Sequence, residues 1–222
     1  MIDFEPKYIT FDCYGTLTKF RLGEMTREMY GDVLQGAEMD QLIAFFSAYR
    51  RDEVLGAWKP YREVLMNAFE RACKRMNVKY DPAKAETFYT AVPTWGPHPD
   101  VPEGLSRLAS KYKLVILSNA SNNQIQQNVD KLGAPFHAVF TAEQAQSYKP
   151  RMPGFEYMFD KLNCNPEDVL HVSSSPRYDL FTAHDMGVKH MAFVTRGHEQ
   201  ATPDNTYYCV HDIPHLASEL GL

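Results

Sequence analysis

The sequence predicts an α/β fold in which a doubly wound parallel sheet carries a helical insertion after its first strand. Three observations predict it: an apolar run at residues 8–11, helical periodicity across residues 21–96, and strand-like segments that alternate with helix-like ones from residue 113 onward. Strand-helix alternation implies a parallel sheet with helices on both faces, and ligands bind such a sheet beyond the carboxyl ends of its strands.

The first strand is the run YITF, and Asp12 follows it at the start of a tight polar turn. The insertion is predicted to be helical because apolar residues recur at spacings of three and four, as on one face of an amphipathic helix. Such residues are Tyr61, Leu65, Phe69, Ala72 and Met76, and residues 39–55 have a similar period. The sheet domain is therefore assigned to residues 1–20 and 97–222, and the helical domain to residues 21–96.

The helical block ends in the stretch VPTWGPHPDVPEG, residues 92–104, which contains four prolines and two glycines. Proline removes a backbone donor and breaks a helix interior, so this composition argues against a continuing helix. We predict a hinge or linker here.

Alternating strands and helices follow the linker. The predicted strands are KLVILS at 113–118, HAVFT at 137–141, DVLHVS at 168–173 and HMAFVT at 190–195. The intervening helical stripes are Ile125, Val129 and Leu132, then Phe155, Met158, Phe159 and Leu162, and a further helix is predicted from Asp179. This series is typical of βαβ units.

Composition limits the classes of partner. The chain is 44% hydrophobic and 23% charged with a formal net charge of -5, so it has no general attraction to nucleic acid or to an anionic membrane surface. The four cysteines form no CxxC pair, which is typical of reduced thiols. No run approaches the roughly 18 apolar residues of a membrane span. We expect a cytoplasmic protein that binds a small molecule.

Polar residues stand where the predicted strands end. Asp12 follows the first strand, Ser118 and Asn119 end the second, Lys149 lies in a loop before a helix, and Asp179 begins another helix. Each residue alone could simply cap a turn or a helix. Together they fall at the one edge where a doubly wound sheet places its site.

At these positions the sequence resembles the haloacid dehalogenase superfamily. The four motifs read DCYGT, the Ser118 of LSNAS, the Lys149 of SYKP, and SSSPRYD ending in Asp179. The resemblance implies a Rossmann-like core, and it implies that the helical insertion is a cap domain.

Two positions depart from the magnesium-dependent phosphatases of that superfamily. The phosphatases have an acidic residue two positions after the nucleophile and another at the start of motif four, where this chain has Tyr14 and Ser174. A phenol with a pKa of about 10 suits acid-base work poorly, and a hard dication prefers more carboxylates. Both departures resemble the L-2-haloacid dehalogenase branch, whose halide leaving group needs no proton. We expect no metal ion and no cofactor.

The resemblance implies a role for each motif residue. Asp12 would attack C2 of an L-2-haloalkanoate, and water activated near Asp179 would hydrolyse the resulting ester. Lys149 would keep Asp12 ionised, because a nearby positive charge lowers the pKa of a carboxyl. Ser118 would hold the substrate carboxylate, and Asn119 with a cap arginine would bind the halide.

The cap arginine is Arg50 or Arg51 of the stretch AYRRDE. The pattern of an aromatic residue followed by arginine favours Arg50, and adjacent helical residues cannot both point at one site. The alternative is that both arginines are solvated and pair with acids such as Asp52 or Glu53.

Further departures concern the substrate pocket, which Tyr14 would wall. Phe155 stands where the family has a pocket tyrosine, and Tyr178 replaces its tryptophan. Motif four has one extra residue, so Ser175, Pro176 or Arg177 stands where the family has asparagine; Ser174 and Ser175 are expected to contact substrate or water. A magnesium-dependent phosphatase and a catalytically silent binding protein remain alternatives, and a homodimer, common in the family, stays open.

Overall fold

A computed structural model of the chain describes residues 1–202 and 207–222. The chain divides into two compact units, which we call the sheet unit, Met1–Lys19 with Gly96–Leu222, and the helical unit, Phe20–Trp95. The boundaries predicted from sequence each fall one residue later.

The helical unit is built on four α-helices: α1 Leu22–Tyr30, α2 Gly36–Leu55, α3 Tyr61–Arg75 and α4 Pro82–Ala91, followed by a short 3-10 turn at Val92–Thr94. The predicted stripe of α3 is confirmed for Tyr61, Leu65, Phe69 and Ala72, which are buried, whereas Met76 follows the helix and is half-buried. Three aromatic rings form the centre of this unit. Phe69 packs edge-on against Phe46 and Phe88, with ring centroids 4.9 and 4.8 Å apart.

The prediction of a hinge or linker over residues 92–104 was wrong for residues 101–104, which begin a helix. Helix α5, Val101–Ala109, begins inside this stretch with Pro102 in the first turn. The first turn of a helix tolerates proline because its N–H groups have no intrahelical acceptor. Gly104 allows α5 to approach the C-terminal helix, since a Cβ there would lie 2.6 Å from the backbone of Ile213.

The sheet of the described residues has six strands, all parallel, in the order β3-β2-β1-β4-β5-β6. The strands are β1 Tyr8–Phe11, β2 Lys113–Ser118, β3 Ala138–Thr141, β4 Val169–Ser173, β5 His190–Val194 and β6 Tyr208–Val210. The first five were predicted. Strand β6 was not, because three residues are too few to show a period.

Helices of the sheet unit cover both faces of the sheet. Besides α5, they are α6 Asn122–Val129, α7 Ala142–Ala145, α8 Pro153–Leu162, α9 Phe181–Asp185 and α10 Ile213–Glu219, with a 3-10 turn at Pro166–Asp168 and a π-helical turn at Pro176–Leu180. Successive residues of a strand point to opposite faces. Ile9 and Phe11 of β1 accordingly pack into one apolar cluster with α5 and α10, whereas Tyr8 packs into a second cluster with α8.

The sheet is therefore doubly wound, as predicted. Among the helices of the described residues, none combines the length and the hydropathy that a membrane crossing requires.

Candidate active site

The site lies where the strand order reverses. Strands β2 and β3 extend to one side of β1, and β4 to β6 extend to the other. Asp12 directly follows β1, and its backbone N–H donates to the carbonyl of Val172 in β4 at 3.0 Å. Ligand crevices in doubly wound sheets form at this switch point, so the topology alone places Asp12 at the predicted edge.

Both oxygens of the Asp12 carboxylate accept hydrogen bonds. Lys149 Nζ donates to Oδ1 at 2.9 Å, and Thr16 Oγ1 donates to Oδ2 at 2.7 Å. The orientation of the carboxylate is therefore fixed by one hydrogen bond to each oxygen. The neighbouring thiol of Cys13 is no rival nucleophile, because burial raises its pKa to about 12 and the thiol form is unreactive.

Lys149 serves both aspartates of the site. Its ammonium donates to Asp12, to Asp179 Oδ1 at 2.6 Å and to the carbonyl of Leu117 at 2.7 Å, and the side chain is 2% exposed. Three acceptors use all three hydrogens of an ammonium group. The carboxylates raise the pKa of Lys149 against the effect of burial, which favours its charged form.

The pKa values of the two aspartates are shifted in opposite directions. Burial raises the pKa of Asp12, and although Lys149 opposes this, the charge of Asp179 adds to the rise. Burial also acts to raise the pKa of Asp179, but Lys149 and His171 together outweigh it and lower that pKa. Lys149 therefore acts on Asp12 in the predicted sense, but its effect does not dominate.

Asp179 lies in the π-helical turn Pro176–Leu180 rather than at the start of a regular helix. An extra residue in an α-helix would rotate later side chains by about 100°. A π-turn is one residue wider and absorbs such an insertion. The additional residue of motif four is thereby accommodated while Asp179 still reaches Lys149.

His171 orients Asp179 from behind. Its Nε2 lies 3.0 Å from Asp179 Oδ1, and its Nδ1 lies 2.8 Å from Thr10 Oγ1. All three residues are buried. Oδ2 of Asp179 has no hydrogen-bond partner among the residues that the structure describes. One carboxylate oxygen is thus saturated, and the other is buried with unused acceptor capacity.

Ser118 and Asn119 end β2 at the same edge but differ in what they contact. Ser118 Oγ is buried and lacks a hydrogen-bond partner within the described part of the chain. Asn119 accepts from the backbone N–H of Lys149 at 2.8 Å and donates to its carbonyl at 2.9 Å. Asn119 therefore anchors the loop that presents Lys149.

The serines of motif four are engaged with the rest of the sheet unit. Ser174 Oγ lies 3.0 Å from Thr16 Oγ1 and 3.2 Å from His198 Nε2. Ser175 Oγ donates to Glu199 Oε1 at 2.8 Å and accepts from the backbone N–H of Tyr178 at 3.1 Å. These hydroxyls therefore connect the turn after β1 with the segment after β5.

The predicted aromatic pocket residues take different positions. Tyr14 donates its hydroxyl to Asn128 Oδ1 at 2.8 Å, and Tyr178 is half-buried. Phe155 is fully buried in the apolar cluster of α8, with its ring edge-on to His171 at 5.1 Å. Because His171 in turn contacts Asp179, Phe155 contacts the site only indirectly, through His171.

Within the helical unit, Arg50 and Arg51 are adjacent on α2 and half-buried. The guanidinium of Arg50 stacks on the ring of Phe20 at 4.5 Å from the centroid. Asp52 and Glu53 both pair with Arg71 instead of with either arginine, which weakens the alternative of two solvated helix-face pairs.

The side chains present do not fit a magnesium site. Magnesium prefers an octahedron of oxygens supplied in part by carboxylates, but positions 14 and 174 carry a tyrosine and a serine whose hydroxyls bind neighbouring side chains. Across residues 1–202 and 207–222, no group of three or more His, Cys, Asp or Glu side chains is arranged to hold a metal ion. We derive no chemical step through a metal.

Sequence reasoning did not single out Thr16 or His198. Thr16 lies within the quoted motif DCYGT, four residues after Asp12. His198 follows β5 at the same sheet edge. The rule that directed attention to the ends of the other strands could have found it.

Comparisons with known proteins agree with this geometry. A family model described as haloacid dehalogenase-like hydrolase matches residues 6–187. The (S)-2-haloacid dehalogenase 4A of Burkholderia cepacia is 32% identical over 93 residues, and the match spans 40% of this chain and 40% of that relative.

Solved structures cover nearly the whole chain. The L-2-haloacid dehalogenase of Xanthobacter autotrophicus with chloropropionic acid covalently bound has a TM-score of 0.79 at 19% identity and covers 98% of this chain and 99% of its own. The HAD-hydrolase YfnB of Bacillus subtilis, bound to magnesium, has a TM-score of 0.81 at 18% identity and covers 99% of this chain and 100% of its own. At these identities the structures show a shared fold.

An α/β sheet with an aspartate after its first strand and a lysine shared by two aspartates defines a hydrolase of the haloacid dehalogenase fold. The chain belongs to the haloacid dehalogenase-like hydrolases, because the family model spans most of its length.

Proposed function

We propose that the chain is a metal-independent dehalogenase that converts short L-2-haloalkanoates to 2-hydroxyacids and halide through an ester on Asp12. The observation that carries this proposal is the lysine ammonium that contacts both carboxylates. Neutral Tyr14 and Ser174 stand where a phosphatase of this superfamily would have acids. The ammonium of Lys149 thus provides the positive charge that a metal dication would otherwise supply.

In the first step, a carboxylate oxygen of Asp12 attacks C2 of the substrate with inversion. The carbon-halogen bond breaks, its electron pair leaves with the halide, and no proton is required. The unsatisfied hydroxyl of Ser118 is available to donate to the substrate carboxylate. Asn119 and Arg50 are the halide-binding residues in this proposal.

In the second step, water adds to Cγ of the Asp12 ester. Oδ2 of Asp179, which has no hydrogen-bond partner in the described part of the chain, accepts a proton from that water. The lowered pKa of Asp179 keeps it ionised for this task. The ester bond then breaks, and Asp179 passes its proton to the oxygen of the departing 2-hydroxyacid. The remaining proton of the new Asp12 carboxyl is released to solvent, so both aspartates are carboxylates again and one proton is released per turnover.

Halide release across a panel of 2-haloacids, with a panel of phosphate esters beside it, tests the reaction class. We expect halide from short L-2-haloacids and no phosphate. Phosphate release that depends on magnesium, with no halide, would replace the proposal with the phosphatase alternative.

A single turnover in heavy-oxygen water tests the ester. Because water attacks the enzyme's carbonyl carbon, the label is expected in the Asp12 carboxylate, which peptide mass spectrometry detects. Label in the hydroxyacid alone would indicate direct attack of water on C2.

We also propose a cytoplasmic location. Cys13 and Cys73 are buried thiols without a disulfide, which is compatible with a reducing compartment.

A further inference from the structure

His198 lies against the turn that carries Asp12. Its imidazole Nε2 is 3.2 Å from Ser174 Oγ. Gly15 provides the space for the ring: its φ is +98°, and a Cβ at this position would lie 3.4 Å from His198 Cε1. Glycine adopts such a backbone conformation without strain. The turn after β1 is therefore shaped around this histidine.

Counting hydroxyl hydrogens gives the direction of the hydrogen bonds between His198 and Asp12. Thr16 has one hydroxyl hydrogen, which it donates to Asp12 Oδ2 at 2.7 Å. Thr16 Oγ1 therefore accepts at its other contacts, from the backbone N–H of Ser174 at 2.9 Å and from the Ser174 hydroxyl at 3.0 Å. The single hydroxyl hydrogen of Ser174 is thereby used, so Ser174 must accept from His198.

We infer that His198 is a positioning residue for the nucleophile Asp12. His198 carries its hydrogen on Nε2 and donates it to Ser174, Ser174 donates to Thr16, and Thr16 donates to Asp12. Hydrogen bonds arranged in series polarise one another. The inference rests on the proposed function insofar as Asp12 is the nucleophile. The hydrogen-bond order itself is independent of the substrate.

The surroundings of His198 leave it neutral near pH 7. Burial lowers its pKa below the ordinary value; the carboxylates of Glu199 and Asp12 oppose this, and the guanidinium of Arg196 adds to it. A neutral imidazole has one donor nitrogen and one acceptor nitrogen. If the hydrogen were on Nδ1, Nε2 would instead draw the Ser174 hydrogen away from Thr16.

Two substitutions separate donation from packing. His198→Leu removes the donor and keeps most of the volume, whereas His198→Gln keeps an N–H that can reach Ser174. We expect kcat for halide release to fall about tenfold in the leucine variant, with KM changed less than about twofold. Removing a hydrogen-bond partner that orients a metal ligand costs about 10- to 100-fold, and His198 acts on Asp12 in the same indirect way. The glutamine variant should recover most of the activity. His184→Leu, the same change at an exposed histidine of α9, should leave activity unchanged.

Two measurements on the free protein decide the inference without a substrate. Nitrogen-15 spectra, with the His198 signal assigned from its loss in His198→Gln, should show hydrogen on Nε2. Carbon-13 titration of Asp12 should show a higher midpoint in His198→Leu than in the wild type, because the Thr16 hydrogen bond lowers the pKa of Asp12.

Hydrogen on Nδ1, or an unchanged Asp12 midpoint in His198→Leu, would overturn the inference even if the wild type releases halide. If the wild type released no halide but both spectra behaved as expected, the proposed function would fail while the hydrogen-bond order stood. Equal losses of activity in the leucine and glutamine variants would also overturn the positioning role.

Discussion

The turn after β1 and the turn after β4 each carry one aspartate of the site, and both carboxylates contact the same ammonium. Their pKa values nevertheless move apart, upward for Asp12 and downward for Asp179. Burial acts on both carboxyls, but the charge of Asp179 adds to the rise at Asp12, whereas His171 helps Lys149 to lower the pKa of Asp179. Asp12 has the neutral hydroxyl of Thr16, whereas Asp179 has the imidazole of His171. A shared cation therefore does not make two carboxylates alike.

The contrast suits the two roles that we propose. A carboxylate whose ionised form is costly gains more by forming a bond to carbon, which favours Asp12 as the nucleophile. A carboxylate that stays ionised across a wide pH range can accept a proton from water whenever an ester is present, which favours Asp179 as the base. Two titratable groups with diverging pKa values often mark such a division of labour.

The largest effect is expected from Asp12→Asn, which should abolish halide release because an amide cannot form the ester. The same change should raise the melting temperature at alkaline pH. A raised pKa means that ionising Asp12 costs folding free energy above that pKa, and asparagine removes the cost. The gain should shrink as the pH falls through the raised pKa. Halide release by this variant, with normal thermal unfolding, would show that Asp12 is not the nucleophile.

Asp179→Asn should have the opposite sign on stability. A lowered pKa means that ionised Asp179 stabilises the fold above its ordinary pKa, so the variant should lose about 2 kcal/mol near neutral pH. That loss should vanish as the pH falls from the ordinary pKa through the lowered one. Turnover should fall about 10³-fold while the ester on Asp12 accumulates, which intact-mass spectrometry detects. A destabilised Asp12→Asn beside a stabilised Asp179→Asn would reverse our assignment of the two environments.

Arg50→Ala tests whether a second cation supplements the shared lysine. The halide develops charge as it leaves, and the loss of one preorganised donor costs about 2.7–4 kcal/mol, or about 10²- to 10³-fold in kcat, at oxyanion sites. Arg51→Ala is the matched control on the same helix and should change kcat less than about threefold, with circular dichroism unchanged in both. A larger loss in Arg51→Ala would shift the assigned arginine by one residue.

Chelation is expected to have no effect. With Lys149 as the cation for both aspartates, exhaustive treatment with a chelator removes nothing that the proposed reaction uses, and added magnesium should not stimulate halide release. Activity lost on chelation and restored by magnesium would show that the lysine is insufficient and that a dication belongs to the site.

Much of the fold and part of the site could be predicted because they depend on local patterns. Apolar periodicity located the strands β1 to β5 and the helix α3, and Asp12, Lys149 and Asp179 stood out at strand ends. Helix α5 was missed because proline in a first turn resembles a linker, and β6 because it is too short. Phe155 was expected to contact substrate, but its buried position in the cluster of α8 follows from the packing of distant segments.

The sequence by itself determined most of the elements that form and several residues that stand at the sheet edge, because strand period, helix period and chain order are local properties. Only the tertiary structure decided what those residues contact. Lys149 is 137 positions from Asp12, and Ser174 is 158 positions from Thr16. The shared ammonium, the opposite pKa shifts and the hydrogen bonds from His198 all arise from burial and from distances between segments far apart in the chain.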